Sequence, residues 1–411
     1  MKTLLLIVLA SMFISCQNNN IKTIINRISV NNNFSGSIIF AINDSIIFNK
    51  SYGFSDEKRQ IRNSPNTIFP IASITKLFIK QAVLSLADNK KLSLKDSLSM
   101  YCQHINFGDS ITISDLLYHK SGIPDIHNLI PYFNQPDNLK DKISTKELFD
   151  LINSYQKLEF RPGSQVSYSN SNYLILAHVI EEITELPLDV YLRENIFSPY
   201  SMLHSGLFKY YSPENGHTAG YTIHNNAVIY VPDFNFMHFW GSGNAFSTTQ
   251  DLFNYYINSQ KNLKSEISSQ LIEHSGYYVG FRSYFKVIPE IGMAIIILSN
   301  NGDFNNNIII NEIIKYVKEK YLKKKNQFMT NSLLFNGTYC TCKNENCMTI
   351  QVRTVEGELT INNQRLFQIS KDSFLLDNNS LTSVSFKIRN NNIVELTMND
   401  NGEILIFRKL I

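Results

Sequence analysis

The chain has 411 residues, 43% of them hydrophobic and 18% charged, which suits one large folded body with something smaller attached and excludes the disordered class. Its 38 basic and 35 acidic residues nearly balance at +3, which argues against nucleic acid as a partner.

The first sixteen residues, "MKTLLLIVLASMFISC", join a positive start at Lys2 to an apolar stretch over residues 4–14, then to small Ser15 and Cys16. That stretch is too short to cross a bilayer and fits the core of a signal peptide, residues 1–15. Polar "QNNN" follows at once, and residues 16–30 are read as a linker. In "FSGSIIFAINDSIIFNKSYGF" two apolar runs flank Asn43-Asp44, the pattern of a two-stranded hairpin. "IASITKLFIK" then opens an apolar helix, with Leu77, Ala82, Val83, Leu84 and Leu86 continuing one face.

Residues 92–177 read as mainly helical, broken at "KSGIPD" and "FRPGSQ". A long helix is expected from about residue 172 to 184, then a short aromatic stretch, 218–248, punctuated by glycine. A further helix near "TTQDLFNYYINS" has Thr248 or Thr249 as its N-cap. "SYFKVIPEIGMAIIILSNN" predicts a second apolar hairpin, interrupted at Pro289, and a last helix spans about 307–323. Lysine-rich "KEKYLKKKNQ" marks a boundary, beyond which short apolar runs alternate with Asn, Asp and Gly turns. The body, 31–325, is therefore an α+β unit, an antiparallel sheet carrying helices with a helical subdomain. Residues 326–411 form a small all-β domain whose role stays open.

Cys340, Cys342 and Cys347 crowd into "YCTCKNENC" with no histidine close in sequence, so a local disulfide is favoured over a metal site. Ser-x-x-Lys, a spacing that sets a hydroxyl beside an ammonium on one helical face, occurs at Ser55/Lys58, Ser73/Lys76, Ser154/Lys157 and Ser283/Lys286. Only Ser73 opens a strongly apolar helix. Ser283 and Lys286 lie in a predicted strand, where residues three apart point to opposite faces. Lys76 in such a helix asks for a reason, because an unpaired buried ammonium is costly. A packed stem with its head in water is the plain alternative.

Taken with its surroundings, the chain resembles the serine β-lactamase-related family: class C β-lactamases, penicillin-binding proteins, D-amino-acid-specific peptidases and esterases. "PNTIFPIASITKLF" resembles the first motif and its lead-in, and "ITISDLLYHKSGIPD" the helix and turn beside the cleft. "FRPGSQVSYSNSNYLILAHVIEE" carries the second motif as Tyr168-Ser169-Asn170, and "GSGNAFSTTQDL" a further landmark. "EHSGYYVGFRSYFKVIPEIGMAIIILSNN" carries the third motif as His274-Ser275-Gly276. Tyr-x-Asn also occurs at Tyr132 and Tyr256, and His-Ser-Gly at His204. The settings of Tyr168 and His274 select them.

The resemblance implies an α/β/α sandwich of the β-lactamase/transpeptidase type and acyl transfer through Ser73. Lys76 and Tyr168 share the task of base, either of them taking the proton. A cationic neighbour lowers the Tyr168 pKa from its ordinary ~10. Backbone N–H groups of Ser73 and Tyr277 form the oxyanion hole. Asn170 hydrogen-bonds the substrate amide or orients Lys76, and His274, Ser275 and Gly276 contact substrate, with no metal or cofactor required. The substrate is a small molecule or peptide.

The departure is His274-Ser275-Gly276 where many relatives have Lys-Thr-Gly, since a histidine titrates near ~6.5 and is mostly uncharged at neutral pH. That ranks peptide, amide or ester hydrolysis first, β-lactam hydrolysis second and a non-hydrolysing penicillin-binding sensor as the rival class. "FISC" resembles the bacterial lipoprotein signal, which implies a lipid on Cys16 and a cell-envelope location.

Overall fold

The computed structural model describes residues 21–410, except 104, 130–142, 263–271, 323–331, 344–345, 370–371, 379–380, 390–391 and 401–402. Cys16 and the signal segment lie outside the described residues. The segment read as a linker holds a helix, α1 (Ile21–Asn31), whose Ile21 and Ile25 are buried against the body.

Strands β1 (Gly36–Ile42) and β2 (Ser45–Tyr52) form the first hairpin. Its turn residues Asn43 and Asp44 both adopt left-handed φ, 49° and 57°, as a tight two-residue hairpin demands and as these side chains tolerate. The helices that matter for the site are α2 (Thr75–Asp88), α3 (Asn170–Thr184) and α4 (Thr249–Asn262), the last capped by Thr248 Oγ1, which accepts from the Asp251 N–H at 3.0 Å. Strands β3 (Ile272–Tyr278), β4 (Phe281–Ile288) and β5 (Met293–Ser299) follow, and α5 (Asn307–Val317) ends the body.

The five strands make one antiparallel sheet in the order β3-β4-β5-β1-β2, so the first and last strands of the body meet in its interior and β3 stands at an edge. β1 and β5 are buried at every position, which is why they read as unbroken apolar runs: helices cover both faces. Ile39, Ala41, Ile296 and Leu298 face a core shared with α2, α3 and α4. The alternate residues Ile38, Phe40, Ile295 and Ile297 face α1 and α5. The result is the α/β/α sandwich expected.

Residues 92–177 are less helical than predicted. Before α3 the described residues among them hold only short turns of helix, Leu98–Met100, Gly108–Ser110, Ile113–Leu117 and Ile126–Leu129, and the longer Thr145–Asn153. Their apolar residues are indeed buried, Leu98, Ile105, Ile111 and Leu116 among them, but loops and single turns of helix deliver them. Capping boxes at Thr112/Asp115 and Ser144/Glu147 fix where each short helix begins.

Beyond the body, eight strands from Gly337–Lys343 to Glu403–Lys409 pair in chain order and close into a barrel through Tyr339↔Lys409 and Cys340↔Arg408. Alternation splits its side chains. Leu366, Phe374 and Leu376 fill the barrel, while Phe367 and Leu375, with Leu381, join the core beneath α1 and α5. Lys318 and Asp377 add an ion pair of 2.7 Å across the join. The barrel thus sits on the sheet face turned away from Ser73. In its first hairpin Cys347, opposite Cys342 in register, is disulfide-bonded, whereas Cys340 keeps a free thiol.

Candidate active site

Ser73 lies on a single tight turn, Ala72–Ile74, just ahead of α2. Ala72 holds a left-handed φ of 48°, a conformation that costs a non-glycine residue energy and persists only where neighbours enforce it. Here the Ile71 N–H donates to the Ala245 carbonyl at 3.0 Å. Thr75 Oγ1 donates to the Ala72 carbonyl at 2.6 Å and accepts from the Ala245 N–H at 3.0 Å. Edge strand β3 closes on the same turn. A Cβ on Gly276 would stand 2.5 Å from the Ile71 carbonyl oxygen and 2.9 Å from Ala72 Cβ, so glycine alone permits this approach.

Lys76, one turn into α2, is 1% exposed, and its Nζ lies 3.0 Å from Ser73 Oγ, 2.8 Å from Asn170 Oδ1 and 2.6 Å from the Ser242 carbonyl oxygen. Burial drives its pKa down to about 7, with the Asp125 carboxylate pulling the other way. The amine is therefore substantially neutral at physiological pH, with a lone pair beside the serine hydroxyl. The Tyr168 hydroxyl donates to Ser73 Oγ from the other side at 2.9 Å.

The expected lowering of the Tyr168 pKa is corrected. Its ring is half exposed, but the hydroxyl end lies against Ser73, and desolvation pushes the phenol up to about 12. The phenol stays protonated at neutral pH.

Asn170 begins α3 and acts as a coupler. Its Oδ1 accepts from Lys76, while its Nδ2 meets Asp125 Oδ2 at 2.9 Å and His127 Nδ1 at 3.0 Å. His119 stacks on Tyr168 with ring centres 4.6 Å apart and receives the Ser169 N–H on Nδ1 at 3.2 Å. Burial and the nearby Lys76 lower His119 to about 3, so it is neutral and free to accept there. His274 on β3 is likewise lowered, to about 4, by burial first and Lys76 second. Ser275 and Tyr277 are exposed along the cleft edge, Tyr277 backed by the Arg282 guanidinium 3.9 Å from its ring centre.

The structure thus gathers Ser73, Lys76, Tyr168 and Asn170 into direct contact, with His274, Ser275, Gly276 and Tyr277 on the adjoining strand. The other Ser-x-x-Lys serines are structural. Ser283 Oγ donates to the Ile71 carbonyl at 2.7 Å, while Lys286 points to the opposite face and pairs with Glu273. Ser55 and Ser154 donate to neighbouring backbone carbonyls, of Ile61 and Leu151. His204 serves Asp251, Tyr256 serves Asp44, and Tyr132 lies outside the described residues. Sequence reasoning did not assign His119, Asp125 or the Ser242 carbonyl. The first two stand in the quoted "YHKSGIPD", but only the fold shows what they face.

Known proteins resemble this chain in sequence and in fold. PbpX of Bacillus subtilis (strain 168) is 29% identical over 304 residues, spanning 67% of this chain and 74% of that protein. The penicillin binding protein from Bacillus halodurans overlays at a TM-score of 0.62 with 20% identity, covering 71% of this chain and 98% of that one. D-amino acid amidase from Ochrobactrum anthropi SV3, solved with D-phenylalanine, overlays at 0.64 with 18% identity over 74% and 99%. Those two likenesses show a shared fold. The sequence model of the Beta-lactamase family matches residues 31–273, well over half of the chain. This protein belongs to the Beta-lactamase family.

Proposed function

We propose that the protein is a serine hydrolase that acts through an acyl-enzyme on Ser73 and cleaves amides, peptides or small esters. The observation that carries the reading is Ser73 Oγ held between Lys76 Nζ at 3.0 Å and the Tyr168 hydroxyl at 2.9 Å. Neutral Lys76 takes the hydroxyl proton as Oγ attacks the substrate carbonyl carbon. The Ser73 and Tyr277 N–H groups receive the oxyanion. In a two-residue hairpin the flanking pair Tyr278/Phe281 exchanges hydrogen bonds, so alternation turns the Tyr277 N–H to the open edge of β3. The proton passes through Tyr168, bonded to the same oxygen, to the leaving group. Water then attacks the acyl carbon by the reverse path, releasing the acid and restoring the Ser73 hydroxyl.

The likeness to a D-amino acid amidase supports the amide choice, and so does His274, which supplies no fixed charge for a β-lactam carboxylate at neutral pH. Intact mass after mixing residues 17–411 with a fluorophosphonate, and separately with benzylpenicillin, tests the reading. One adduct, absent in Ser73→Ala, is expected from the fluorophosphonate, and a folded wild type that takes none sinks the hydrolase assignment. A penicillin adduct that decays would instead mark a β-lactam hydrolase, and one that persists a penicillin-binding sensor.

The lipid anchor at Cys16 would hold this enzyme in the bacterial cell envelope. Among the described residues no helix is long and apolar enough to cross a membrane. Cys16→Ser is expected to move the protein from the membrane to the soluble fraction, and an unchanged distribution would count against the anchor.

A further inference from the structure

The chemistry of Lys76 turns on which way the Asn170 amide faces. A neutral amine has two N–H groups and one lone pair. Two carbonyl oxygens answer the N–H groups, Asn170 Oδ1 at 2.8 Å and Ser242 O at 2.6 Å, which leaves the lone pair to Ser73 Oγ at 3.0 Å. An Asn170 amide turned over would aim an N–H at Lys76 instead and draw that lone pair away from Ser73. The two ends of an amide are alike in size, so its hydrogen-bond partners decide between the orientations.

Asp125 and His127 make that decision. A carboxylate only accepts, and Asp125 Oδ2 takes one Asn170 N–H at 2.9 Å. Turned over, the amide would set oxygen against oxygen at that distance. His127 Nδ1 takes the second N–H at 3.0 Å, which places the ring proton on Nε2. Burial lowers the His127 pKa to about 4, so Nδ1 is able to accept at neutral pH. The turn that carries both residues is docked on the first turn of α3. Ser169 Oγ and Ser171 Oγ donate to the Pro124 carbonyl at 3.3 and 2.7 Å, and the Ile126 N–H donates to Ser171 Oγ at 2.8 Å. The His127 N–H closes on Asp125 Oδ1 at 3.0 Å, and Phe239 meets the His127 ring edge to face. Ser169 and Ser171 are buried, so water does not compete for these bonds.

We propose that Asp125 and His127 are positioning residues that commit Asn170 to Lys76: they use both N–H groups of its amide and so keep its oxygen on the amine. Of the two roles open to Asn170, orienting Lys76 is then filled and donating to a substrate amide is closed. The inference rests on Ser73 as the nucleophile, as argued above, and extends that reading to selectivity. An amide carbonyl in the acyl part of a substrate gains nothing from Asn170.

The arrangement is tested first without turnover. In wild-type protein carrying isotope-labelled histidine, proton–nitrogen NMR spectra assigned with His127→Asn should show His127 at pH 7 with a bare Nδ1 and its proton on Nε2. The opposite tautomer, or a doubly protonated ring, overturns the proposal. The consequence is then read at Ser73 with a reagent that has no amide. His127→Phe should slow fluorophosphonate labelling by about tenfold, as for the loss of one hydrogen bond. It should slow hydrolysis of the nitrophenyl esters of N-acetylglycine and of pentanoic acid, its amide-free isostere, by the same factor. His127→Asn, whose carbonyl oxygen can stand in for Nδ1, should recover most of the rate, which a merely structural role would not allow. A loss confined to the N-acetylglycine ester, with labelling unchanged, would put Asn170 on the substrate and overturn the proposal. A folded wild type that takes no fluorophosphonate would sink the Ser73 reading and this role with it, whatever tautomer His127 shows, so the two failures are distinct.

Discussion

Replacing Lys76 with methionine is expected to slow acylation of Ser73 by about three to four orders of magnitude, the usual loss when a nucleophile is stripped of its base. The pH profile is the sharper readout. A lysine lowered to about 7 is protonated below that value and neutral above it, so the wild-type rate should climb through pH 7 and level off by about pH 8. Lys76→Met should be flat across this range. Asp125→Asn should keep the climb but move it to lower pH, because the Asp125 carboxylate is what holds the Lys76 pKa up.

The substitution carries a second signature with a definite sign. Between pH 7 and 10.5 the unfolded chain binds a proton at Lys76 that the folded chain does not, so folding is penalised at and below pH 7 and relieved as pH rises. The penalty is on the order of 5 kcal/mol before the bonds to Asn170 and Ser242 offset some of it. Lys76→Met should therefore be inactive yet more heat-resistant at pH 7. A wild-type profile that climbs near pH 10, or a climb that persists in Lys76→Met, would assign the base elsewhere.

Lys286→Met is expected to destabilise the fold by about 3–5 kcal/mol, because it removes the buried ammonium bonded to the Glu273 carboxylate. Lys286 is 0% exposed and sits directly opposite Glu273 in the β3–β4 register, with Nζ 2.5 Å from Oε2. The Tyr284 hydroxyl donates to the other carboxylate oxygen at 2.6 Å. Residue 273 adjoins His274, so this pair pins the edge strand that brings Gly276 against the Ser73 turn. Denaturant unfolding should show the loss in Lys286→Met and recovery of most of it in Lys286→Met/Glu273→Leu, where both members of the pair are gone. Equal midpoints for the two variants would mean that the ion pair is not what holds β3.

The contrast between these sites explains what could be read in advance. The hairpins around Asn43-Asp44 and Pro289, the cap at Thr248 and the Ser73 helix all announce themselves within a dozen residues, through periodicity and turn chemistry. Ser283/Lys286 could be set aside on strand geometry alone, and the structure gives both residues other work. Residues 92–177 misled because burial of Leu98, Ile105 and Ile111 needs only anchored loops and single helical turns, too short to leave a period to detect. Helix α1 was hidden by the polar run before it, since its reason to form, the contact of Ile21 and Ile25 with α5, lies nearly 300 residues away. The Tyr168 pKa was misjudged for a related reason. The sequence supplies the neighbouring cation but not the desolvation that outweighs it. His127 and Asp125 likewise acquire meaning only from what the fold sets opposite them.

The division between body and barrel is plain in the sequence and incomplete in the packing. Phe367, Leu375 and Leu381 belong by chain position to the barrel and by contact to the layer under the sheet, beside Ile21, Ile25 and Ile313. Separating the chain into these two parts would therefore divide the sequence at a natural seam and yet lay open the layer that they share. The barrel acts as a keystone laid against the sheet from behind, so a rigid catalytic face is set in some measure by residues that never approach the cleft.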